Sequence, residues 1–168
     1  MVLTSKRGRR ELALEDFYID YQKNARGPGE VLECVRVPLR RDQVRVAAYK
    51  ISKRFDQDIS AVCAAFSLEL EDGRVAEFRT GFGGVAAVTR RATTCEQVLA
   101  GKHWDETSVQ AAMAALDREF TPLTDMRASE AYRRKVSRNL LYRFFLQTAE
   151  GMGDAPTDES EQVYAYGR

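Results

Sequence analysis

Ile59-Ser60-Ala61-Val62-Cys63-Ala64-Ala65-Phe66-Ser67-Leu68-Glu69-Leu70, followed by Glu71-Asp72-Gly73-Arg74, is the stretch on which the fold turns. Its first half is apolar at nearly every position. Its second half alternates, with Phe66, Leu68 and Leu70 set against Ser67, Glu69 and Glu71. A strand that starts buried on both faces and ends half exposed has this pattern. The alanine-rich first half leaves a helix as the competitor. The alternation and the Asp72-Gly73 pair decide for a strand. Asp-Gly between two such runs marks a hairpin, because the favoured two-residue turn needs positive φ at both central positions. The run over 75–82 then alternates again, with Ala76, Phe78, Thr80 and Phe82 on one face.

Upstream, a polar turn at Arg40-Arg41-Asp42-Gln43 precedes a strand over 44–52. A further strand covers 31–37, with Val31, Val35 and Val37 against Leu32, Cys34 and Arg36, and Pro38 ends it. Gly27-Pro28-Gly29 breaks the chain before that strand. Over 15–21 carboxylates come first and aromatics after, which suits a short helix with acid in its first turn. Residues 1–13 read as two short strands around Gly8, with Lys6, Arg7, Arg9 and Arg10 at the turn. That basic group reads as a solvated turn, with a phosphate contact as the alternative. Two short strands are not stable alone and must lean on a sheet, one that the rest of the chain is not expected to supply.

Downstream the pattern becomes helical. Thr94 is placed to cap a helix that Gly101 stops, and Asp105 to cap a second. The second carries Val109, Ala112, Met113, Leu116 and Phe120 at helical spacing and ends before Pro122. Ser129 and Glu130 open the longest helix. Its apolar stripe is Tyr132, Val136, Leu140, Leu141, Phe144 and Phe145, and the cations around it, Arg133 among them, are expected to be solvated or to face a partner. Small and acidic residues over 151–168 predict a disordered tail, in which Val163-Tyr164-Ala165-Tyr166 could dock as a strand. Strands first and helices after define an α+β fold: an antiparallel sheet of three to four strands with helices packed on one face.

Composition narrows the function classes. The 168 residues suit one domain. A net charge of +1 gives a weak overall field, so nucleic acid and anionic membranes are not expected partners. Cys34, Cys63 and Cys95 are far apart and form no CxxC pair, which argues against an iron–sulfur or zinc site made by this chain and for a reducing, cytoplasmic setting. No run approaches the roughly 18 apolar residues of a membrane span. The single histidine, His103, reads as a turn residue between helices. Gly81-Phe82-Gly83-Gly84 follows a strand and suits a bulge or a close backbone approach better than a phosphate cradle. One dense cluster is left: Lys50, Lys53, Arg54, Asp56 and Asp58. It is either a cation set that holds an anionic or electron-rich ligand, or surface ion pairs of little energetic weight.

Tyr49-Lys50-Ile51-Ser52-Lys53-Arg54, followed by Asp58-Ile59-Ser60-Ala61-Val62, resembles the signature of the domain that follows the FAD-binding one in xanthine dehydrogenase flavin subunits. Leu14-Glu15-Asp16-Phe17-Tyr18 and Gly29-Glu30-Val31-Leu32, running to Val37-Pro38, are similar to the junction before it. Arg79-Thr80-Gly81-Phe82-Gly83-Gly84-Val85-Ala86, then Gly101 with Trp104, and Phe120-Thr121-Pro122-Leu123-Thr124-Asp125-Met126-Arg127-Ala128-Ser129 follow in the same order, with Tyr132-Arg133 and Asn139-Leu140-Leu141 after them. The resemblance covers about residues 10–146, and the C-terminal domain of the carbon monoxide dehydrogenase flavoprotein is the broader group.

The resemblance implies a role in purine oxidation. Hypoxanthine and xanthine are oxidised at a molybdenum cofactor on a partner subunit, and electrons pass through iron–sulfur clusters to FAD and then to NAD. It also implies that Leu32 and Lys50 contact the flavin, with the loop over 51–58 bordering the face that NAD approaches. A fixed cation beside an isoalloxazine ring favours electron uptake. The implied division is 1–25 as the end of a FAD-binding domain, 26–150 as the C-terminal-type domain, and 151–168 as tail. The glycine-rich segments that cradle the FAD pyrophosphate in the family are not in this sequence, and neither are cluster cysteines. The expectation is a fragment, a split gene product or one partner of an assembly, sharing FAD with a FAD-binding and iron–sulfur partner and inactive alone. The alternative is a non-catalytic interaction or assembly module of the same fold.

Overall fold

The computed structural model describes residues 1–39, 41–54 and 59–149. The chain forms β1 (Val2–Ser5), β2 (Gly8–Glu11), α1 (Leu14–Phe17), β3 (Tyr18–Asp20), β4 (Lys23–Asn24) and β5 (Val31–Cys34). There follow β6 (Arg45–Ile51), β7 (Val62–Glu71), β8 (Arg74–Gly83), α2 (Thr93–Leu99), α3 (Glu106–Glu119) and α4 (Glu130–Thr148). This is the expected α+β fold. The central sheet is antiparallel, in the order β6-β7-β8. Asp72 and Gly73 turn β7 into β8 with φ of 49° and 70°, as the Asp-Gly signal requires.

Three of the four predicted strands share that sheet. The first does not, because β5 pairs with β1, which also carries β2, in a separate sheet of order β2-β1-β5. The basic hairpin therefore leans on a strand of its own chain and not on an absent sheet. β5 stops at Cys34, short of the predicted 37, and beyond it Val37 and Leu39 are 78% and 94% exposed. The predicted helix over 15–21 shrinks to one turn. Tyr18 and Ile19, aromatic and β-branched, pass instead into β3, which pairs with β4.

The first half of β7 is not buried on both faces. Val62, Ala64, Phe66 and Leu68 point inward, while Ala65 is exposed and Cys63 half-buried. The outward residues are apolar because they are small, and that imitates a doubly buried strand in the sequence. On the inner face Phe66 stacks on Phe144 with ring centroids 5.2 Å apart and meets Phe82 edge-on at 5.6 Å. Trp104 closes the far side against Phe78 at 5.6 Å. Its indole N–H donates to Thr148 Oγ1 at 3.0 Å, so the one polar atom of the ring is satisfied.

Two helix caps stand where expected. Asp105 accepts from Ser108 N at 2.8 Å, and Ser129 from Tyr132 N at 3.2 Å. Thr94 does not cap α2, which starts one residue before it and has Ala92 at its N-cap. The carboxylate of Glu119, at the end of α3, takes that role by accepting from Thr94 N at 2.9 Å and Cys95 N at 3.3 Å. Among the described residues no helix is long and apolar enough to cross a membrane.

Candidate functional site

β6 sends alternate side chains to opposite faces of the sheet. Tyr49 and Ile51 go into the core. The Arg143 guanidinium lies over the Tyr49 ring, 5.4 Å from its centroid, and burial pushes the Tyr49 hydroxyl up to about 12. The same hydroxyl donates to Gln147 Oε1. Lys50 falls between them, on the face that the helices leave uncovered. Its register partner is Cys63, which in turn faces Gly83, and the adjacent row is Ala48, Ala65 and Gly81. A Cβ placed on Gly81 would meet nothing within 4 Å. The row through Ala48, Ala65 and Gly81 is thus small and open, while in the Lys50 row a Cβ on Gly83 would touch Cys63 and Thr89 Oγ1.

Charge is unevenly spread over this face. At one end Arg41 pairs with Glu69 at 2.5 Å, and Arg79 with Glu77 at 2.7 Å. At the other end Lys50 is half-buried and makes no ion pair with a described residue. An ammonium with no ion pair among the described residues, set beside small side chains, can bind an anion or an electron-rich ring without first breaking a contact to them.

Leu32 is 42% exposed on β5, opposite Leu3. Leu32 and Lys50 therefore sit on edge strands of two different sheets. Of the charges after Lys50, Asp56 and Asp58 lie outside the described residues, as do Phe55 and 151–168. Lys53 donates to Met126 O at 2.7 Å. It lines a cavity of about 500 Å³ with Ile51, Ser52, Ala61, Asp125 and Tyr132. His103 lies exposed between α2 and α3, as expected, but forms an isolated β-bridge with Arg74.

Sequence reasoning missed Arg133. It was expected to be solvated or to face a partner and is 3% exposed within the chain, while Tyr132, assigned to the core stripe, is 47% exposed. The Arg133 Nη1 donates to the carbonyls of Ala61 and Gly84, the latter at 2.7 Å, and Nη2 to Asp125 Oδ1 at 2.6 Å. Backbone N–H groups of Ala128 and Arg127, together with Arg133, hold the Asp125 carboxyl down to about 2. A signal was present: counting back from Phe144 through Leu141 and Ser137 by helical steps lands on 133, not 132. The close approach expected of the glycine turn is real. Gly84 has a φ of 82°, and a Cβ there would collide with the Ala61 carbonyl oxygen.

A second buried polar group was also missed. Glu96 accepts from Thr80 N and Thr80 Oγ1, each at 2.8 Å, and from Arg91 Nη2 at 2.5 Å. Arg91 then reaches Glu15 at 3.3 Å, which ties the N-terminal segment to α2.

The profile of the CO dehydrogenase flavoprotein C-terminal domain matches residues 47–148, from β6 to the end of α4. The chain belongs to this family. A nicotinate hydroxylase of Emericella nidulans is 30% identical over 91% of the chain, and a xanthine dehydrogenase of Blastobotrys adeninivorans is 32% identical over 87%. The chain spans 12% and 11% of the length of these two relatives. Among solved structures, a CO dehydrogenase chain of Hydrogenophaga pseudoflava superposes with a TM-score of 0.79 at 27% identity, over 84% of this chain and 49% of that one. The chain is thus a flavoprotein C-terminal domain related to those of xanthine and CO dehydrogenases.

Proposed function

We propose that this domain forms one wall of the FAD site in a xanthine dehydrogenase-type molybdenum hydroxylase, an oxidoreductase. The observation that carries the reading is Lys50, a cation with no ion pair among the described residues, on a sheet face of the small residues Ala48, Cys63, Ala65, Gly81 and Gly83. These residues fit a planar cofactor: small side chains leave room for a ring to lie close, and the ammonium supplies a fixed positive charge at its edge. Leu32, exposed on β5, offers a second, apolar contact. When bound, FAD would supply the redox chemistry, taking electrons from iron–sulfur clusters and releasing them to NAD. The part of Lys50 is to favour electron uptake by Coulombic attraction, which strengthens where the docked FAD-binding partner keeps water out.

In this reading residues 1–25 complete the end of a FAD-binding domain, 26–150 form the C-terminal-type domain, and the molybdenum cofactor and clusters reside on cytoplasmic partner chains or domains. The family name supports the flavin, and the similarity to xanthine dehydrogenases supports hypoxanthine or xanthine as substrate and NAD as acceptor. Lys50→Ala, made in the chain assembled with a FAD-binding partner, is expected to lower the flavin midpoint potential and slow electron uptake by the flavin about tenfold, the effect of about 1.4 kcal/mol. Spectroelectrochemical titration and stopped-flow absorbance check this. Wild-type values for both would leave Lys50 a structural residue. If added FAD shows no fluorescence change with the chain in the presence or absence of that partner, the assembly-module reading takes its place.

A further inference from the structure

We propose that Arg133 is a positioning residue: from inside α4 it holds the base of the loop that leaves Lys50, and so fixes how Lys50 is presented. The proposal rests on the flavin reading of Lys50, but its first test does not need flavin.

Antiparallel pairing brings three chain segments to one end of the central sheet: the exit of β6, the entry to β7 and the exit of β8. Lys50 pairs with Cys63 in the next-to-last rung and Ile51 with Val62 in the last. Beyond the ladder, Ala61 N donates to Ile51 O at 2.7 Å and closes the loop base. The Ala61 carbonyl is then turned towards Gly84, so close that only glycine fits there. Two carbonyl oxygens, of Ala61 and Gly84, accept from the same Nη1. Oxygens converging in this way repel each other unless a donor stands between them, and a buried donor with fixed geometry is what a guanidinium supplies.

The Arg133 charge is balanced by Asp125, and Asp125 is oriented by its own backbone turn through Arg127 N at 2.8 Å and Ala128 N at 3.1 Å. The same turn receives Lys53 through Met126 O. The loop leaving Lys50 is therefore held at both ends by one unit: Ala61 by Arg133, and Lys53 by the 125–128 turn. Without the guanidinium, the Ile51–Ala61 closure and the adjoining rungs would open, and Lys50 stands one residue from that closure.

The test uses hydrogen exchange on the full chain, then the flavin potential in the assembly with a FAD-binding partner. Arg133→Gln and Gly84→Ala disturb the same carbonyl by different means, one by losing the donor and the other by a steric clash. Both are expected to raise amide exchange across 51–62 about tenfold or more, the scale of one charge-assisted hydrogen bond. Phe66→Leu, which loosens the core elsewhere, serves as the control for general destabilisation. It is expected to lower Tm without selective exchange at 51–62. Arg133→Lys keeps the charge but cannot reach both carbonyls and Asp125, so it should restore protection only in part.

In the assembly, the Arg133 and Gly84 variants should shift the flavin potential in the direction that Lys50→Ala does, and by less. Exchange across 51–62 no greater than in Phe66→Leu would overturn the proposal. So would a potential that responds to Lys50→Ala and stays at the wild-type value in both anchor variants. A potential indifferent to Lys50→Ala would sink the flavin reading instead, and the exchange result would still decide the anchoring. If Arg133→Gln does not fold, Gly84→Ala and Arg133→Lys carry the same comparison.

Discussion

Glu96 has almost no contact with water, and its charge is answered by Thr80 and Arg91. Removing it leaves the buried Thr80 N–H without its acceptor and the Arg91 guanidinium with only the more distant Glu15. Glu96→Ala should therefore cost about 3 kcal/mol, measured as a lower urea midpoint at unchanged slope. Asp125 acts through pH. Its carboxyl is held at about 2 in the folded chain against an ordinary value of 3.8, with Ala128 N–H the largest cause. The carboxylate is thus favoured by folding. Its contribution is complete above 3.8 and is lost as the pH falls from there through about 2. In Asp125→Asn, stability between those values should fall less steeply than in the wild type, as followed by acid titration of circular dichroism.

At the scale of elements, α2 is capped from a distance. Its first N–H groups are answered by Glu119, so α2 keeps its start only while α3 is packed beside it. Glu119→Ala should lower stability by about 1 kcal/mol, the usual cost of losing a cap, while Thr94→Ala should change it by no more than about 0.5 kcal/mol. Thermal denaturation of both variants checks the pair. If Thr94→Ala proved the more costly, the local cap suggested by the sequence would be the working one. The elements that were legible, the β7–β8 hairpin and the starts of α3 and α4, are those whose signals lie within a few residues. Asp72-Gly73, Asp105 and Ser129 each act on their own neighbours. The helix over 15–21 failed because four residues in one turn gain too little to outweigh the strand preference of Tyr18 and Ile19.

At the scale of the molecule, one aromatic cluster joins the central sheet to the helices. Phe66 touches Tyr49, Phe78, Phe82 and Phe144, and so couples all three central strands to α4. Phe66→Ala should cost about 4 kcal/mol, the sum of lost transfer energy and an unfilled cavity, with a single cooperative transition in guanidinium. The N-terminal segment is built differently. Its sheet has a small buried pair in Val2 and Leu3, whereas Leu14, Tyr18, Ile19, Tyr21, Val35, Val37 and Leu39 remain exposed.

By itself the sequence determined the α+β order, the hairpin, two of the caps, the apolar face of α3 and the later part of that of α4, because periodicity and turn chemistry are local properties of the chain. Charge density, which can be read in one dimension, brought the cluster over 50–58 forward, and the family resemblance picked Lys50 out of it. Only the tertiary structure decided that β5 pairs with β1, that Glu119 caps α2, and that Arg133 is buried against Ala61, Gly84 and Asp125. Each of these depends on which backbone groups from distant segments are left without partners at the same place. That is settled only when the sheet and helices have packed.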